Sequence, residues 1–171
     1  LALAHHPTIR RAHRGPQRHP SQDRFDLMQV SDLAVRPTKG ATPERVMEIS
    51  CDPESGVIGD HGTSRRRQIT LLSAEQWQTA CTEVGCDVAW TTRRANLFIS
   101  GGEFAEKHSG KRFRIGEVLI HIHGELVPCQ QMEDQQLGLL SALQPDWRGG
   151  LHGEIIESGT IRPGDTVELI G

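Results

Sequence analysis

Short runs of hydrophobic residues recur along the chain from about residue 27 and are separated by Gly, Pro, Asp and Ser. The runs cover residues 27–37, 45–51, 67–73, 96–100, 113–115, 117–123, 152–158 and 166–170. Short apolar runs with turn residues between them and few helical stretches are typical of antiparallel sheets that curl into a barrel or a sandwich. The pattern therefore predicts a mainly β protein.

Two segments have helical spacing instead, and the first covers residues 73–85. Ser73 followed by Gln76 is the signature of a capping box, whose side chains bond to free backbone N–H groups, and Gly85 is a suitable stop. The residues on its apolar face are Trp77, Ala80, Cys81 and Val84. We therefore expect Cys81 to lie in the core, where a free cysteine packs as a small hydrophobe.

The second helical segment covers residues 134–144 and ends before Pro145, which disfavours helical geometry at the residue before it. The residues on its apolar side are Leu137, Leu140 and Leu143. We expect both helices to cover the sheet. The long polar stretches at residues 52–64 and 100–111 are typical of active-site loops.

The composition fits one domain. The chain has 171 residues, of which 36% are hydrophobic and 24% charged, and no apolar run approaches the roughly 18 residues of a membrane span. We therefore expect a soluble protein that does not enter a membrane. The expected organisation is a basic tail over residues 1–26 followed by one β-rich domain over residues 27–171.

The formal net charge of -3 is unevenly distributed along the chain. Residues 1–26 contain five Arg and two Asp, which gives +3, so the remaining residues carry -6. A basic, Pro-punctuated segment without apolar periodicity is typical of a flexible tail. Clustered Arg also binds phosphates, but no aromatic side chains are interleaved for base stacking, so we do not expect nucleic-acid binding. The segment also lacks the apolar centre of a secretory signal.

The cysteine spacing argues against a disulfide scaffold. The cysteines are Cys51, Cys81, Cys86 and Cys129. No two of them have C-x-x-C spacing and their density is low, so we expect reduced thiols and a cytoplasmic location. Cys129, which follows Pro128, is open to four interpretations: a buried hydrophobe, a disulfide partner, a metal ligand or a reactive sulfur. As a metal ligand it would join His121 and His123, which share one face of a predicted strand, although an exposed strand face explains the same residues.

Arginines before two predicted strands are candidates for anion binding, because a guanidinium binds phosphate or carboxylate with two parallel hydrogen bonds. Arg67 lies at the entry to one strand, which would fix its position. Arg65 and Arg66 precede it, and we expect them in a solvated loop.

Two further stretches carry candidate anion-binding residues. Arg93, Arg94 and Asn96 precede an apolar strand that a Gly pair follows, which allows close approach of a ligand to the backbone; surface charge beside a turn explains the same letters equally well. Arg148 lies between Trp147 and another Gly pair. That joint would either aim the guanidinium into a pocket or form a plain loop.

A series of motifs occurs in a particular order along the chain, and their combined order is more specific than any one of them. The motifs are GVIGDHG, RRRQITLLSAEQW, WTTRRANLFISGG, GKRFRIGEVLIHIHGELVPCQQM, LQPDWRGG and SGTIRPGDTVELIG. The series resembles the MOSC domain, named for the C-terminal part of molybdenum cofactor sulfurases, and in particular its small stand-alone bacterial members. The resemblance covers about residues 28–171. The histidines of HIHGE fall where ordinary strand residues of the family are expected, which disfavours the His-Cys metal site.

The resemblance implies a MOSC-like β-barrel with a few covering helices, a deep pocket and an essential cysteine, here Cys129. It implies that this cysteine carries sulfur towards the cofactor, as in the sulfurases, or ligates molybdenum, as in related amidoxime-reducing and hydroxylaminopurine-reducing proteins. Basic side chains hold the pterin phosphate in the latter. The implied contacts to the molybdenum cofactor (molybdopterin) are Arg67, Arg93, Arg94, Asn96 and Arg148, with Gly59, Asp60 and His61 in a pocket loop.

The expected function is therefore sulfur carriage or transfer, or molybdenum cofactor binding, with Cys129 as the reactive centre. Such a protein would be a sulfurtransferase-like or a molybdenum-cofactor-dependent reductase-like enzyme. The lysines are Lys39, Lys107 and Lys111. No aminotransferase-like domain with a Schiff-base lysine accompanies them, so we expect a separate pyridoxal phosphate-dependent partner, a cysteine desulfurase, or a molybdoenzyme partner. The alternative is a non-catalytic binding module for a phosphorylated or pterin ligand, in which Cys129 is structural.

Overall fold

Strands make up most of the regular structure. A computed structural model describes residues 28–62 and 64–171, and the predicted tail at residues 1–26 lies outside the described residues. The strands are β1 (Gln29–Val35), β2 (Glu44–Arg45), β3 (Ile49–Asp52), β4 (Gly56–Val57), β5 (Ile69–Ser73), β6 (Leu97–Ser100), β7 (Arg112–Ile115), β8 (Val118–Glu125), β9 (Leu151–Glu157), β10 (Gly159–Ile161) and β11 (Val167–Ile170). The α-helices are α1 (Ala74–Val84), α2 (Gln130–Gln135) and α3 (Leu139–Leu143), and 3-10 turns lie at Trp90–Arg93, Glu106–His108 and Pro145–Trp147. The prediction of a mainly β protein with a few short helices is confirmed.

The strands form two sheets rather than a closed barrel. The larger sheet has eight strands in the order β11-β7-β8-β9-β5-β6-β1-β2, and the smaller has three in the order β10-β3-β4. In the larger sheet, neighbouring strands pair antiparallel except β5 and β6, which are parallel and are connected through α1. The predicted barrel is not confirmed, because β11 and β2 remain the edges of the large sheet. The chain before β11 approaches β1 through an isolated bridge between Gln29 and Thr166 instead of a continuous ladder.

β5 is buried along its whole length because both faces of the sheet are covered there. Ile69 and Leu71 belong to the main core, to which the small sheet also contributes Ile49 and Ile161. Leu72 belongs to a second hydrophobic cluster beneath the helices. A strand buried on both faces shows no alternation of polar and apolar residues, which explains the continuous run ITLL in the sequence.

α1 lies where the sequence predicts it. The Ser73 hydroxyl accepts a hydrogen bond from the Gln76 backbone N–H at 3.3 Å, and Gly85 ends the helix with a left-handed φ of 65°. The side chain of Gln76 does not return to Ser73, so the capping box is only half formed. It bonds instead to the backbone of Phe104 and Asp146, which ties the helix to two loops. Cys81 is buried, as predicted.

The predicted helix over residues 134–144 is wrong in its extent. α2 begins earlier, and a break separates it from α3. Gly138 has a φ of 84° and donates its N–H to the Glu133 carboxylate at 2.9 Å, which redirects the chain. Leu137 is consequently 81% exposed, whereas Leu143 is buried. No helix among the described residues has the length and apolar character needed to cross a membrane.

Candidate functional site

A polar cavity of about 260 Å³ lies where the chain leaves β1, β4 and β8 and where it enters β5 and β6. Its lining residues are Arg36, Asp60, His61, Gly62, Arg67, Gln68, Thr70, Arg93, Arg94, Asn96, Val127, Cys129, Gln131 and Met132. Hereafter this is the arginine-lined cavity. It gathers residues that are far apart in the sequence at the ends of strands of both sheets and at α2.

Most of the residues singled out in the sequence meet in this cavity. Those that line it are Asp60, His61, Arg67, Arg93, Arg94, Asn96 and Cys129. Gly59 directly precedes Asp60 and His61 in the same loop and has a left-handed φ of 82°. Arg148 is not among the lining residues. Its guanidinium forms an ion pair with Glu83 at 2.7 Å and donates to the Ala142 carbonyl at 3.0 Å, which joins α1 to α3.

The cavity carries a concentrated positive charge. Arg36, Arg67, Arg93 and Arg94 all line it, while Asp60 is its one carboxylate. None of these guanidiniums forms an ion pair with a carboxylate in the part of the chain that the structure describes. Unpaired guanidiniums that converge on one space favour an anionic ligand, because they can bind its oxygen atoms with charge-assisted hydrogen bonds.

Arg93 is the most deeply buried of these arginines, with 4% of its surface exposed. Its Nε donates to the Gly149 carbonyl at 3.0 Å, and its Nη2 donates to the Leu126 carbonyl. Burial and the neighbouring Arg67 charge lower the pKa of Arg93 to about 10, although Cys129 and Glu125 act in the opposite direction. Arg93 therefore remains charged at neutral pH and holds together two loops beside the cavity.

Arg67 and Arg36 also line the cavity, and their positive charges influence each other. Desolvation and the Arg36 charge lower the pKa of Arg67, while Cys129 and Asp60 raise it. Asp60 accepts a hydrogen bond from the Arg36 backbone N–H at 2.6 Å, and Arg36 donates from Nη2 to the His61 carbonyl at 2.8 Å. These bonds fix the loop after β4 against the end of β1.

Asn96 supports the wall of the cavity through bonds within the protein. Its side-chain oxygen accepts hydrogen bonds from the Thr70 N–H at 3.0 Å and from the Thr70 hydroxyl at 2.9 Å. Its amide nitrogen donates to the Ala34 carbonyl at 3.3 Å. Both ends of the amide are thus engaged, and Asn96 links β1, β5 and the entry to β6.

Cys129 is the one cysteine of the described chain that is exposed. It precedes α2, and its sulfur approaches one polar group, the Gln131 side-chain oxygen at 4.0 Å. Cys51 and Cys81 are buried; burial raises the pKa of the Cys51 thiol to about 12, and burial together with the neighbouring Cys86 raises the pKa of the Cys81 thiol. Of these three thiols, Cys129 is therefore the accessible one, and it is the one beside arginines.

The histidines of β8 lie outside this cavity. The rings of His121 and His123 have centroids 5.0 Å apart, and His123 Nε2 lies 3.5 Å from the Glu154 carboxylate on β9. No group of three or more His, Cys, Asp or Glu residues with metal-binding geometry occurs within residues 28–62 and 64–171. The structure therefore does not assemble the His121, His123 and Cys129 site.

Sequence reasoning missed several lining residues, above all Arg36. Arg36 follows β1 and meets Asp60, 24 positions away, so no local motif connects them. Its position just before Pro37 at a strand end is the one signal that marks it in the sequence. Gln131 and Met132 were missed because the expected helix began after them.

A match to a protein-family model identifies the family of this chain. The model of the MOSC domain matches residues 58–168, a span that contains Cys129 and every cavity arginine except Arg36. The chain belongs to the MOSC domain family. No functionally curated protein matches it.

Solved structures share the fold at low sequence identity. The crystal structure of the YuaD protein from Bacillus subtilis is 20% identical, with a TM-score of 0.69 over 83% of this chain and 94% of that chain. The crystal structure of YiiM from Geobacillus stearothermophilus is 16% identical, with a TM-score of 0.64 over 84% and 75% of the two chains. YiiM from Escherichia coli is 20% identical, with a TM-score of 0.60 over 84% and 68%. At these identities the likeness establishes the fold.

Proposed function

We propose that the arginine-lined cavity binds a molybdenum cofactor through its phosphate, with Cys129 as the protein's ligand to the metal. The observation that carries this proposal is the accessible thiol of Cys129 in a cavity with four arginines that have no carboxylate partner. A thiolate is a soft donor suited to such a metal, and guanidiniums suit phosphate. Membership of the MOSC domain family supports the same assignment.

The donor set fits a metal that arrives with most of its own ligands. The described residues contain no cluster of three metal-binding side chains, so a bare ion would lack a complete protein site. When bound, the cofactor supplies the redox-active molybdenum together with its pterin sulfur ligands. The chain then has to contribute one sulfur and a binding site for the phosphate, and the cavity offers both.

The cavity arginines have distinct roles in this proposal. Arg93 donates two of its N–H groups to the Gly149 and Leu126 carbonyls, so it positions the loop that leads to Cys129 and also contributes charge. The guanidiniums of Arg67 and Arg94 make no hydrogen bond to other described residues and are the ones available to phosphate oxygens. Asp60 keeps Arg36 in place through its backbone.

The first experiment is metal and pterin analysis of protein purified from a host that makes the cofactor. We expect molybdenum and pterin in equal amounts in the wild type, and loss of both in Cys129→Ala. Cys86→Ala is the matched control, because it removes a half-buried thiol away from the cavity and should retain both. Wild-type protein that contains neither component, and binds none when cofactor is added, would contradict the proposal.

Sulfur carriage is the second candidate, and the exposure of Cys129 favours it. In this reaction the Cys129 thiolate attacks the outer sulfur of a donor persulfide, R–S–SH. An S–S bond forms on Cys129, the S–S bond of the donor breaks, and R–S⁻ leaves, so no external oxidant or reductant is needed. The donor would be a separate pyridoxal phosphate-dependent cysteine desulfurase.

Incubation with such a desulfurase and cysteine should add about 32 Da, one sulfur atom, at Cys129. Mass spectrometry of the intact chain and of the Cys129 peptide measures this mass. Cys129→Ala should stay unmodified, while Cys86→Ala should be modified like the wild type. An unmodified wild type, under conditions that load a known carrier, would remove this candidate. If Cys129→Ala retains full affinity for a phosphorylated ligand and Cys129 proves unreactive, the chain is the non-catalytic binding module.

A further inference from the structure

Two cysteines meet where α1 ends, in a part of the molecule that the proposed function does not use. Cys81 lies in the last turn of α1, Gly85 ends the helix with a left-handed φ of 65°, and Cys86 follows directly. The Cys86 N–H donates to the Cys81 carbonyl at 3.0 Å. The Gly85 N–H donates to the Thr82 carbonyl at 3.2 Å, and the two bonds together define a Schellman motif. Neither cysteine lines the arginine-lined cavity.

The motif brings the two cysteine side chains together. With standard bond lengths, the hydrogen bond from Cys86 to the Cys81 carbonyl keeps the two Cα atoms within about 7 Å, which is the range that a disulfide spans. Cys81 is a buried member of the hydrophobic cluster beneath the helices, and Cys86 packs against that cluster. The Cys81 thiol also forms a hydrogen bond with the side chain of Cys86. The two sulfurs are therefore neighbours in the folded chain.

The two thiols differ in their access to solvent. Cys81 is buried, whereas Cys86 is half-buried and lies between the exposed residues Gly85 and Asp87. Burial and the hydrogen bond with Cys86 raise the pKa of the Cys81 thiol, so Cys81 keeps its proton at neutral pH and is the donor in that bond. A reagent in solution therefore meets Cys86 first, with Cys81 directly beside it.

We propose that Cys81 and Cys86 form a reversible oxidation site, at which a low-molecular-weight disulfide such as glutathione disulfide converts the two thiols into an intramolecular disulfide. The Cys86 thiolate attacks one sulfur of glutathione disulfide, which forms a mixed disulfide on Cys86 and releases one glutathione. Cys81 then attacks the Cys86 sulfur, and the second glutathione leaves. Each departing glutathione takes the proton of the cysteine that replaces it. Two protein thiols are oxidised, and one glutathione disulfide is reduced to two thiols.

The proposed disulfide lies against the helices that form part of the cavity wall. Val84, within the ring that the disulfide closes, packs against the break between α2 and α3, since a Cβ on Gly138 would lie 3.2 Å from the Val84 Cγ1. Met132 of α2 belongs to the same hydrophobic cluster as Cys81 and also lines the arginine-lined cavity. Oxidation therefore restrains a segment that supports α2, independently of the ligand proposed for the cavity.

The test equilibrates the folded wild type in glutathione redox buffers, alkylates the remaining free thiols and analyses tryptic peptides by mass spectrometry. Residues 68–93 form one tryptic peptide that contains Cys81 and Cys86 but neither Cys51 nor Cys129. We expect this peptide to lose about 2 Da, two hydrogen atoms, and to take up neither glutathione nor the alkylating reagent. Dithiothreitol should reverse the change.

Single substitutions separate the roles of the two sulfurs. In Cys81→Ala the mixed disulfide on Cys86 has no second thiol to resolve it, so the peptide 68–93 should carry one glutathione. In Cys86→Ala the buried Cys81 should stay unmodified. Cys129→Ala is the matched control, because it removes an exposed thiol elsewhere and should form the Cys81–Cys86 disulfide like the wild type.

The same buffers with concentrated urea measure what the fold contributes, because the unfolded chain keeps the spacing of the cysteines but loses the helix end. The buffer composition at which half of the peptide is oxidised gives the effective concentration of one thiol at the other. We expect this value to be about tenfold or more higher in the folded chain than in urea. Equal values would overturn the proposal, and so would a folded wild type that keeps both thiols free or retains glutathione on Cys86.

Discussion

Replacing Arg93 and Arg94 separately with Met tests whether Arg93 stabilises the fold in addition to contributing charge to the cavity. Both changes remove one positive charge and keep most of the aliphatic stem. Arg93 is buried and donates to the Gly149 and Leu126 carbonyls, which have no other donor among the described residues. Arg94 makes no such side-chain bond, and Met at Arg94 bears the same backbone strain as Arg. The pair is therefore matched in charge and differs in internal bonding.

The magnitude follows from the two carbonyls. Leaving a buried acceptor without its donor costs about 1–3 kcal/mol, so two of them cost about 2–6 kcal/mol. Relief of repulsion between Arg93 and Arg67 and of the burial of the charge offsets part of this cost. We expect Arg93→Met to lower the free energy of unfolding by about 2–4 kcal/mol, and Arg94→Met to change it by less than about 0.5 kcal/mol.

Urea unfolding followed by circular dichroism measures the stability, and calorimetric titration with phosphate measures the anion affinity. Both variants should bind phosphate about tenfold more weakly, since each loses one charge of the site. Equal stability of Arg93→Met and the wild type would refute the bracing role of Arg93. Unchanged phosphate affinity in both variants would refute the anion site.

Further expectations concern the fold around the site. His108 is buried, and burial lowers the pKa of its imidazole from 6.5 to about 4. Between these two pH values the unfolded chain binds a proton at His108 that the folded chain does not bind. The free energy of unfolding should therefore fall as the pH drops from about 6.5 to 4, by on the order of 3 kcal/mol. His108→Asn should remove most of that slope in urea unfolding at several pH values, and an unchanged slope would contradict the assignment. Gly150→Ala should lower the thermal midpoint of unfolding far more than Gly40→Ala. Both glycines have positive φ, but a Cβ at Gly150 would lie 2.2 Å from the Leu71 carbonyl oxygen, whereas a Cβ at Gly40 would face open space. Equal midpoints of the two variants would argue against this packing. Ser73→Ala should cost about 1 kcal/mol through loss of the cap of α1, as measured by urea unfolding, and a cost near zero would show that Ser73 does not stabilise the helix end.

Sequence patterns predicted the elements whose position is set by residues within the element itself. α1 carries its own cap at Ser73, its own stop at Gly85 and an apolar face, so its sequence is sufficient to place it. The strand runs were visible because short β-branched segments with turn residues between them have few alternatives. The break between α2 and α3 was missed because a Gly within a leucine-rich pattern is compatible with a continuous helix. What decides it is the bond from Gly138 to Glu133 and the packing of α3 on α1.

The candidate site was predictable in its chemistry and only partly in its membership. Arg67, Arg93 and Cys129 stand in the family motifs, and the structure brings them together. Arg36 and Arg148 show the limit of such reasoning, because their positions depend on contacts across the fold. Arg36, at the end of β1, is held at the cavity by hydrogen bonds to Asp60 and His61 in the loop after β4, while Arg148 forms an ion pair with Glu83 on α1. Gln131 and Met132 likewise line the cavity because α2 begins at Gln130, whereas the sequence pattern placed the start of the helix too late.

In the proposed function, the cavity arginines direct anionic molecules to the thiol of Cys129. The most direct measurement is the rate of Cys129 alkylation by anionic iodoacetate relative to neutral iodoacetamide, followed by mass spectrometry. An unstructured peptide that carries the sequence around Cys129 gives the reference ratio. We predict that the ratio for the folded protein exceeds the peptide value by about tenfold at low salt, since a cleft of one charge raises the local concentration of the opposite charge. A ratio equal to that of the peptide would show that the cavity arginines do not attract anions to Cys129.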